Sequence, residues 1–204
     1  MSIFRRILDF VMDILETVTF VGSIFIVIYL FIMQPNQVKG ASMEPTLLTG
    51  DYIFTSKITY KFRPIQRGDI VVFKSLKNPD IEFIKRVIAL PEDKVEIING
   101  EVFVNDQIID ENYIASKTVL WDGGYIKDSV PTIVPGDHIF VMGDNRPRSS
   151  DSREFGPIPI TNIIGQVFYR YYPPQKIGGI INPFPESLKS RTNFVRKLVF
   201  KQRY

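Results

Sequence analysis

Hydrophobic and polar positions change rhythm along this chain. From Thr17 to Val38 no residue is charged, and Val18 to Met33 is almost wholly apolar. A bilayer-crossing helix needs roughly 20 such residues, and a helix apolar on every side must be covered all round. Little else in a chain of 204 residues could cover it, so residues 17–35 are predicted to be a transmembrane anchor. Before it, Arg5, Asp9, Asp13 and Glu16 recur at helical spacing. Residues 1–16 therefore read as a cytoplasmic amphipathic segment, lying at the inner surface or forming the first turns of the anchor. A cleaved signal peptide is the competing reading, with Arg5 and Arg6 as its n-region. Lys39 stands where a small residue is wanted, and the apolar run is long for that role.

Past the anchor the period shortens to that of strands. Tyr52–Thr55, Asp69–Lys74 and Phe83–Ile88 are short runs rich in β-branched or aromatic residues. Val95 to Val104 predicts a hairpin, because Asn99-Gly100 is the dipeptide a type I′ turn demands. His138–Met142 and Ile164–Tyr171 read as further strands. Residues 106–136 are less regular, with Gly123-Gly124, Pro131 and Pro135 as punctuation. They are expected to elaborate one side of the sheet. Pro173-Pro174 is taken to end the folded body. The expectation is a mainly β, antiparallel domain over residues 36–175 on an N-terminal transmembrane helix, with a C-terminal tail over 176–204.

Composition narrows the chemistry. There is no cysteine and one histidine, His138, so thiolate chemistry and a multi-histidine metal site are excluded. No metal or organic cofactor is expected. The net charge of +3 hides a basic tail, in which Lys189, Arg191, Arg196, Lys197, Lys201 and Arg203 face one Glu186. Such a tail could touch anionic lipid or nucleic acid, or be a solvated terminus. Arg5 and Arg6 favour a cytoplasmic N-terminus, which puts the β domain on the far side of the membrane.

Three clusters could do chemistry. Gly40-Ala-Ser42-Met-Glu-Pro-Thr-Leu47 holds a serine among small residues, with room for a substrate carbonyl. Phe83-Ile-Lys85-Arg86-Val-Ile88 sets a lysine between apolar neighbours on one strand face. Burial there would disfavour its charge; neutrality near pH 7 needs a fall of about 3 pKa units. A surface lysine with a buried stem is the plainer reading of that segment alone. Gly143-Asp-Asn-Arg-Pro-Arg-Ser-Ser-Asp-Ser-Arg153 is dense in charge and hydroxyls directly after an apolar strand, and could also be an exposed polar loop.

Together these clusters resemble the type I (leader) signal peptidases of bacteria. The stretch from Ser42 to Leu47 is similar to the family's nucleophile box, and Arg67-Gly-Asp-Ile-Val-Val-Phe73 to its internal strand box. Phe83 to Pro91 resembles its lysine box, and Gly143–Arg146 with Ser149–Arg153 its last box. All stand in the family's order after an anchor. The resemblance implies a Ser–Lys dyad serine protease on a signal-peptidase-like β fold, with Ser42 as nucleophile and Lys85 as general base. Ser149 would hydrogen-bond and orient the Lys85 amine, Asp151 and Arg153 would form a supporting ion pair, Asp144 and Arg146 would brace the loop, and Arg86 would support the site. The backbone at Ser42 and Gly40 would line the oxyanion hole. Val38, Met43, Leu47, Phe83 and Ile84 would wall pockets for small side chains of a signal peptide. Implied partners are the signal peptides of preproteins and the lipid bilayer, with no nucleic acid. Gly40 replaces a serine that many members carry, Lys39 a proline, and Pro147 and Arg148 an Asp and an Asn. Three other readings stay open: a triad of Ser42, His138 and Asp137; a specialised peptidase on the same fold; and a tethered scaffold with an inert serine and lysine.

Overall fold

A computed structural model describes residues 3–190. Its first element, helix α1 (Ile3–Val27), continues through a π-helical turn over Ile28–Ile32, and none of its residues is buried. The combined 30 residues are long and apolar enough to cross a membrane. The chain then turns directly into a strand at Met33. Met33, Gln34 and Pro35, expected within the anchor, belong instead to the sheet, because their backbone pairs with Phe54–Ser56.

The strands are β1 (Met33–Gln37), β2 (Tyr52–Ser56), β3 (Ile70–Lys74), β4 (Glu82–Ala89), β5 (Lys94–Ile98), β6 (Glu101–Val104), β7 (Gln107–Ile108), β8 (Thr132–Ile133), β9 (His138–Met142), β10 (Ile158–Pro159), β11 (Ile163–Tyr172) and β12 (Gly178–Gly179). A main sheet runs β1-β2-β11-β3-β4-β9-β10, with β12 added to β11; a second sheet runs β7-β6-β5-β8. Every pairing is antiparallel. The β5–β6 hairpin turns at Asn99 (φ 51°) and Gly100 (φ 79°), the two positive φ values its dipeptide is suited to.

Alternation along β3 builds the core on both faces of the main sheet. Val71 and Phe73 pack with Val87, Ile139, Val141 and Ile158. Ile70 and Val72 pack with Val38, Met43, Leu47, Ile53 and Val167. A third cluster joins the sheets, with Ile88, Phe140 and Met142 of the main sheet against Val95, Ile97 and Val102 of the second.

The folded body extends past Pro173-Pro174. Phe184 is buried in the inter-sheet core, and Asn182 donates to the Arg67 carbonyl at 2.8 Å. The stretch expected as the start of a tail is therefore part of the domain up to Ser190, held by an apolar anchor that a reading of its charge overlooks. The basic residues from Arg191 onward lie outside the described residues.

Candidate active site

Strand β4 carries the lysine between two neighbours. Val71 of β3 lies opposite Lys85, and β9 pairs with β4 only from Arg86 onward. Among the described residues, the half of β4 from Glu82 to Lys85 therefore has a free edge. Lys85 is 4% exposed, and its amine lies 5.4 Å from the centre of the Phe83 ring. Its Nζ is 2.8 Å from Ser42 Oγ and 3.1 Å from the Ile84 carbonyl oxygen. Burial pushes the Lys85 amine from its ordinary value down to about 8. Asp151 and Asp144 pull it up, and Arg153 pushes it down with burial.

Ser42 follows Gly40, whose φ of +92° is left-handed, a conformation that favours glycine. The space a Cβ would take at Gly40 is open. A side chain would be strained there although there is room for one. The turn closes by Glu44 N–H to the Ala41 carbonyl (3.2 Å) and Leu47 N–H to the Met43 carbonyl (2.9 Å). Among the described residues the Ser42 N–H has no hydrogen-bond acceptor, so it is available to a ligand. The same turn swings Leu47 into the core, where it is fully buried with Met43 and Ile53. It does not line the groove, contrary to the sequence expectation. Val38, Met43, Phe83 and Ile84 do, in a cleft of about 430 Å³ that runs from Pro35 past Gly40 and Ser42 to Asp80–Lys85. Asn36 and Glu82, not anticipated, bridge the cleft at 3.3 Å.

The loop after β9 holds the serine from behind. Asn145 N–H donates to the Ser42 carbonyl at 3.0 Å. Asp151 is fully buried and accepts from Gly143 N–H (2.9 Å), Ser149 Oγ (2.7 Å) and the Arg153 guanidinium (2.8 Å). Ser149 thus gives its proton to Asp151, and the Lys85 amine is bonded to Ser42 and Ile84 instead. The expected Ser149–Lys85 bond is absent among the described residues. Asp144 takes Arg86 as a two-pronged partner at 2.8 and 2.6 Å. Arg146 instead pairs with Glu111, from the irregular stretch before β8. Pro147 and Arg148 are exposed in a 3₁₀ turn, where the Arg148 N–H donates to the Asn145 carbonyl at 3.0 Å.

His138 begins β9, and its ring bonds Asp137 at 2.5 Å. Gly143 follows the other end of that strand. The histidine is therefore roughly 16 Å along the strand from the loop that holds Ser42, which leaves the triad reading without geometry. Among the described residues no group of His, Cys, Asp and Glu could hold a metal ion.

The signal peptidase family, peptidase S26, matches residues 11–172. The chain belongs to that family and is a peptidase. Among its relatives, a probable signal peptidase I-2 of Synechocystis is 39% identical over 153 residues, covering 72% of this chain and 67% of that protein. Signal peptidase IB of Staphylococcus aureus is 34% identical over 185 residues, covering 84% and 96%. Thylakoidal processing peptidase 1 of Arabidopsis thaliana is 37% identical over 158 residues, 72% of this chain but only 44% of that longer protein. A crystal structure of a signal peptidase I from Enterococcus faecalis matches at 30% identity and a TM-score of 0.43, covering 51% of this peptidase and 97% of that chain.

Proposed function

We propose that this signal peptidase is a membrane-bound endopeptidase that removes N-terminal signal peptides from exported preproteins after small-x-small motifs, through a Ser42–Lys85 dyad and an acyl-enzyme. The observation that carries the reading is the 2.8 Å contact between Lys85 Nζ and Ser42 Oγ, made by a lysine 4% exposed. A buried amine with a lowered pKa is neutral often enough to act as a base. Lys85 takes the Ser42 proton as Oγ bonds to the scissile carbonyl carbon. The oxyanion that forms is met by the unengaged Ser42 N–H. The C–N bond then breaks, and the proton passes to the departing amine. Water gives its proton to the same lysine and attacks the ester; the returned proton restores the Ser42 hydroxyl.

The cleft supports an extended substrate. It lies along the free edge of β4 from Glu82 to Lys85 and beside the segment from Val38 to Gly40, so a peptide could add as a strand. Val38, Met43, Phe83 and Ile84 leave apolar space suited to small side chains. Helix α1, in a bilayer with Arg5 and Arg6 on the cytoplasmic side, brings the domain to the extracytoplasmic face. The partners are then the signal peptide and the lipid itself.

The test is cleavage of a preprotein with an alanine-x-alanine site by the full chain in detergent. Wild type is expected to cut there, and folded Ser42→Ala and Lys85→Ala to be inactive. Cleavage by Lys85→Ala would remove the lysine from the mechanism, and no cleavage by wild type would favour a specialised substrate or a scaffold.

A further inference from the structure

The second sheet and its long connection have no part in the chemistry above, yet they reach both sides of it. Glu111 and Tyr113 lie in that connection, between β7 and β8. Glu111 receives both terminal nitrogens of Arg146, one of them at 3.0 Å, and the Tyr113 hydroxyl at 2.9 Å. Arg146 is fully buried and also donates to Thr118 and, through Nε at 3.1 Å, to the Gly143 carbonyl. The same Tyr113 presents its ring face to Arg86, whose guanidinium carbon is 4.3 Å from the ring centre. Arg86 is the residue next to Lys85, and Gly143 begins the loop whose Asn145 N–H holds the Ser42 carbonyl. One short segment of the connection between β7 and β8 therefore grips the strand that carries the lysine and the loop that holds the serine from behind.

Charge balance supports a specific need for Glu111. Arg86, Arg146 and Arg153 are each no more than 1% exposed. Asp144 faces Arg86 and Asp151 faces Arg153. Glu111 is the carboxylate paired with Arg146, and without it a buried guanidinium beside the Gly143 loop has no salt-bridge partner among the described residues. A buried charge left alone is costly and is relieved by movement of whatever it bonds, here the Gly143 carbonyl.

We infer that Glu111 and Tyr113 are positioning residues for the dyad, joining the second sheet to catalysis by fixing Arg146 and Arg86 so that Ser42 and Lys85 keep their separation. The inference rests on the Ser42–Lys85 reading. A displacement of about 1 Å at a reacting group can cost on the order of 100-fold in rate, so the effect falls on turnover and leaves the cleft intact.

The experiment measures kcat and KM for preprotein cleavage by the full chain, well below each variant's melting temperature. Glu111→Gln, Glu111→Asp and Tyr113→Phe are run beside Lys85→Ala. Glu111→Gln is expected to lower kcat by about 10- to 100-fold with KM within about twofold. Glu111→Asp should restore most of the loss. Tyr113→Phe, which keeps the ring on Arg86 and removes only the hydroxyl, should give a smaller fall in kcat and serves as the decisive variant if Glu111→Gln does not fold. If the folded variants keep wild-type kcat, or if KM rises and kcat holds, the inference is wrong while the dyad stands. Cleavage by Lys85→Ala removes the dyad reading and this inference with it.

Discussion

Gly143 and Ser42 approach so closely that a Cβ on the glycine would stand 2.4 Å from the serine's carbonyl oxygen. It would also stand 2.2 Å from Ser149 Oγ. The carbonyl is backbone and is held by the Asn145 N–H of the same loop, so it cannot step aside cheaply. Gly143→Ala is therefore expected to move the nucleophile. Cleavage should fall by about 100-fold and stability by about 1–3 kcal/mol, read by preprotein cleavage and urea unfolding. Wild-type activity in this variant would show that the loop does not set the serine.

In the proposed mechanism Lys85 must be neutral to act as the base, and its neutral fraction grows as pH rises towards and past about 8. The rate kcat/KM should climb about tenfold per pH unit below that value and level off above it. A histidine base would put the limb near ~6.5 instead. A pH profile on a peptide substrate separates the two.

Burying Lys85 also has a cost to the fold, and its sign is definite. The folded amine titrates at about 8 against an ordinary 10.5, so the unfolded chain binds more protons between those values. The penalty, about 3 kcal/mol at 1.36 kcal/mol per unit, is full below pH 8 and is relieved as pH rises towards 10.5. Lys85→Met is thus expected to be inactive yet more stable at neutral pH, by about 1–3 kcal/mol. Melting curves at several pH values should show that gain shrink in alkali.

Asp151 supports five donors at once, from the Gly143 N–H, the Ser149 hydroxyl, the Arg153 N–H and two nitrogens of the Arg153 fork. Asp151→Asn removes the charge facing a fully buried Arg153 and should cost about 3–5 kcal/mol. Adding Arg153→Met to it should recover part of the stability without recovering activity. Equal melting of the single and double variants would mean that the pair does not act as a unit.

Much of this was legible in the residues. The anchor follows from an uncharged run, and the β5–β6 hairpin from Asn99-Gly100, since both signals are local. Ser42 and Lys85 could be singled out by their neighbours, but their meeting spans 43 positions of chain and was carried only by the family's motif order. Glu111 is not legible in the sequence because one carboxylate in an irregular segment has no periodic signal; the hint is that Gly143–Arg153 holds three arginines and two aspartates. Leu47 enters the core because the turn after the serine, closed by Leu47 N–H to the Met43 carbonyl, carries it inward, and no local pattern announces that turn. The start of the tail packs against the domain because Phe184, set between Pro183 and Pro185, is buried in the inter-sheet core, a placement that the charge of the tail does not signal.

Helix α1 passes into the sheet without a linker. Lys57 Nζ takes the carbonyls of Tyr29 and Leu30 at 3.2 and 3.4 Å, and the Lys57 N–H takes that of Ile32 at 2.9 Å. The last turn of the helix is thereby sewn to β2, and β1 leads to Ser42 within five residues of its end. A nucleophile on a slack tether would sweep through many heights above a bilayer. This one is mounted like a blade on a fixed post. On the proposed function, where a chain is cut is then governed by how far it has emerged from the lipid, before any pocket examines its side chains.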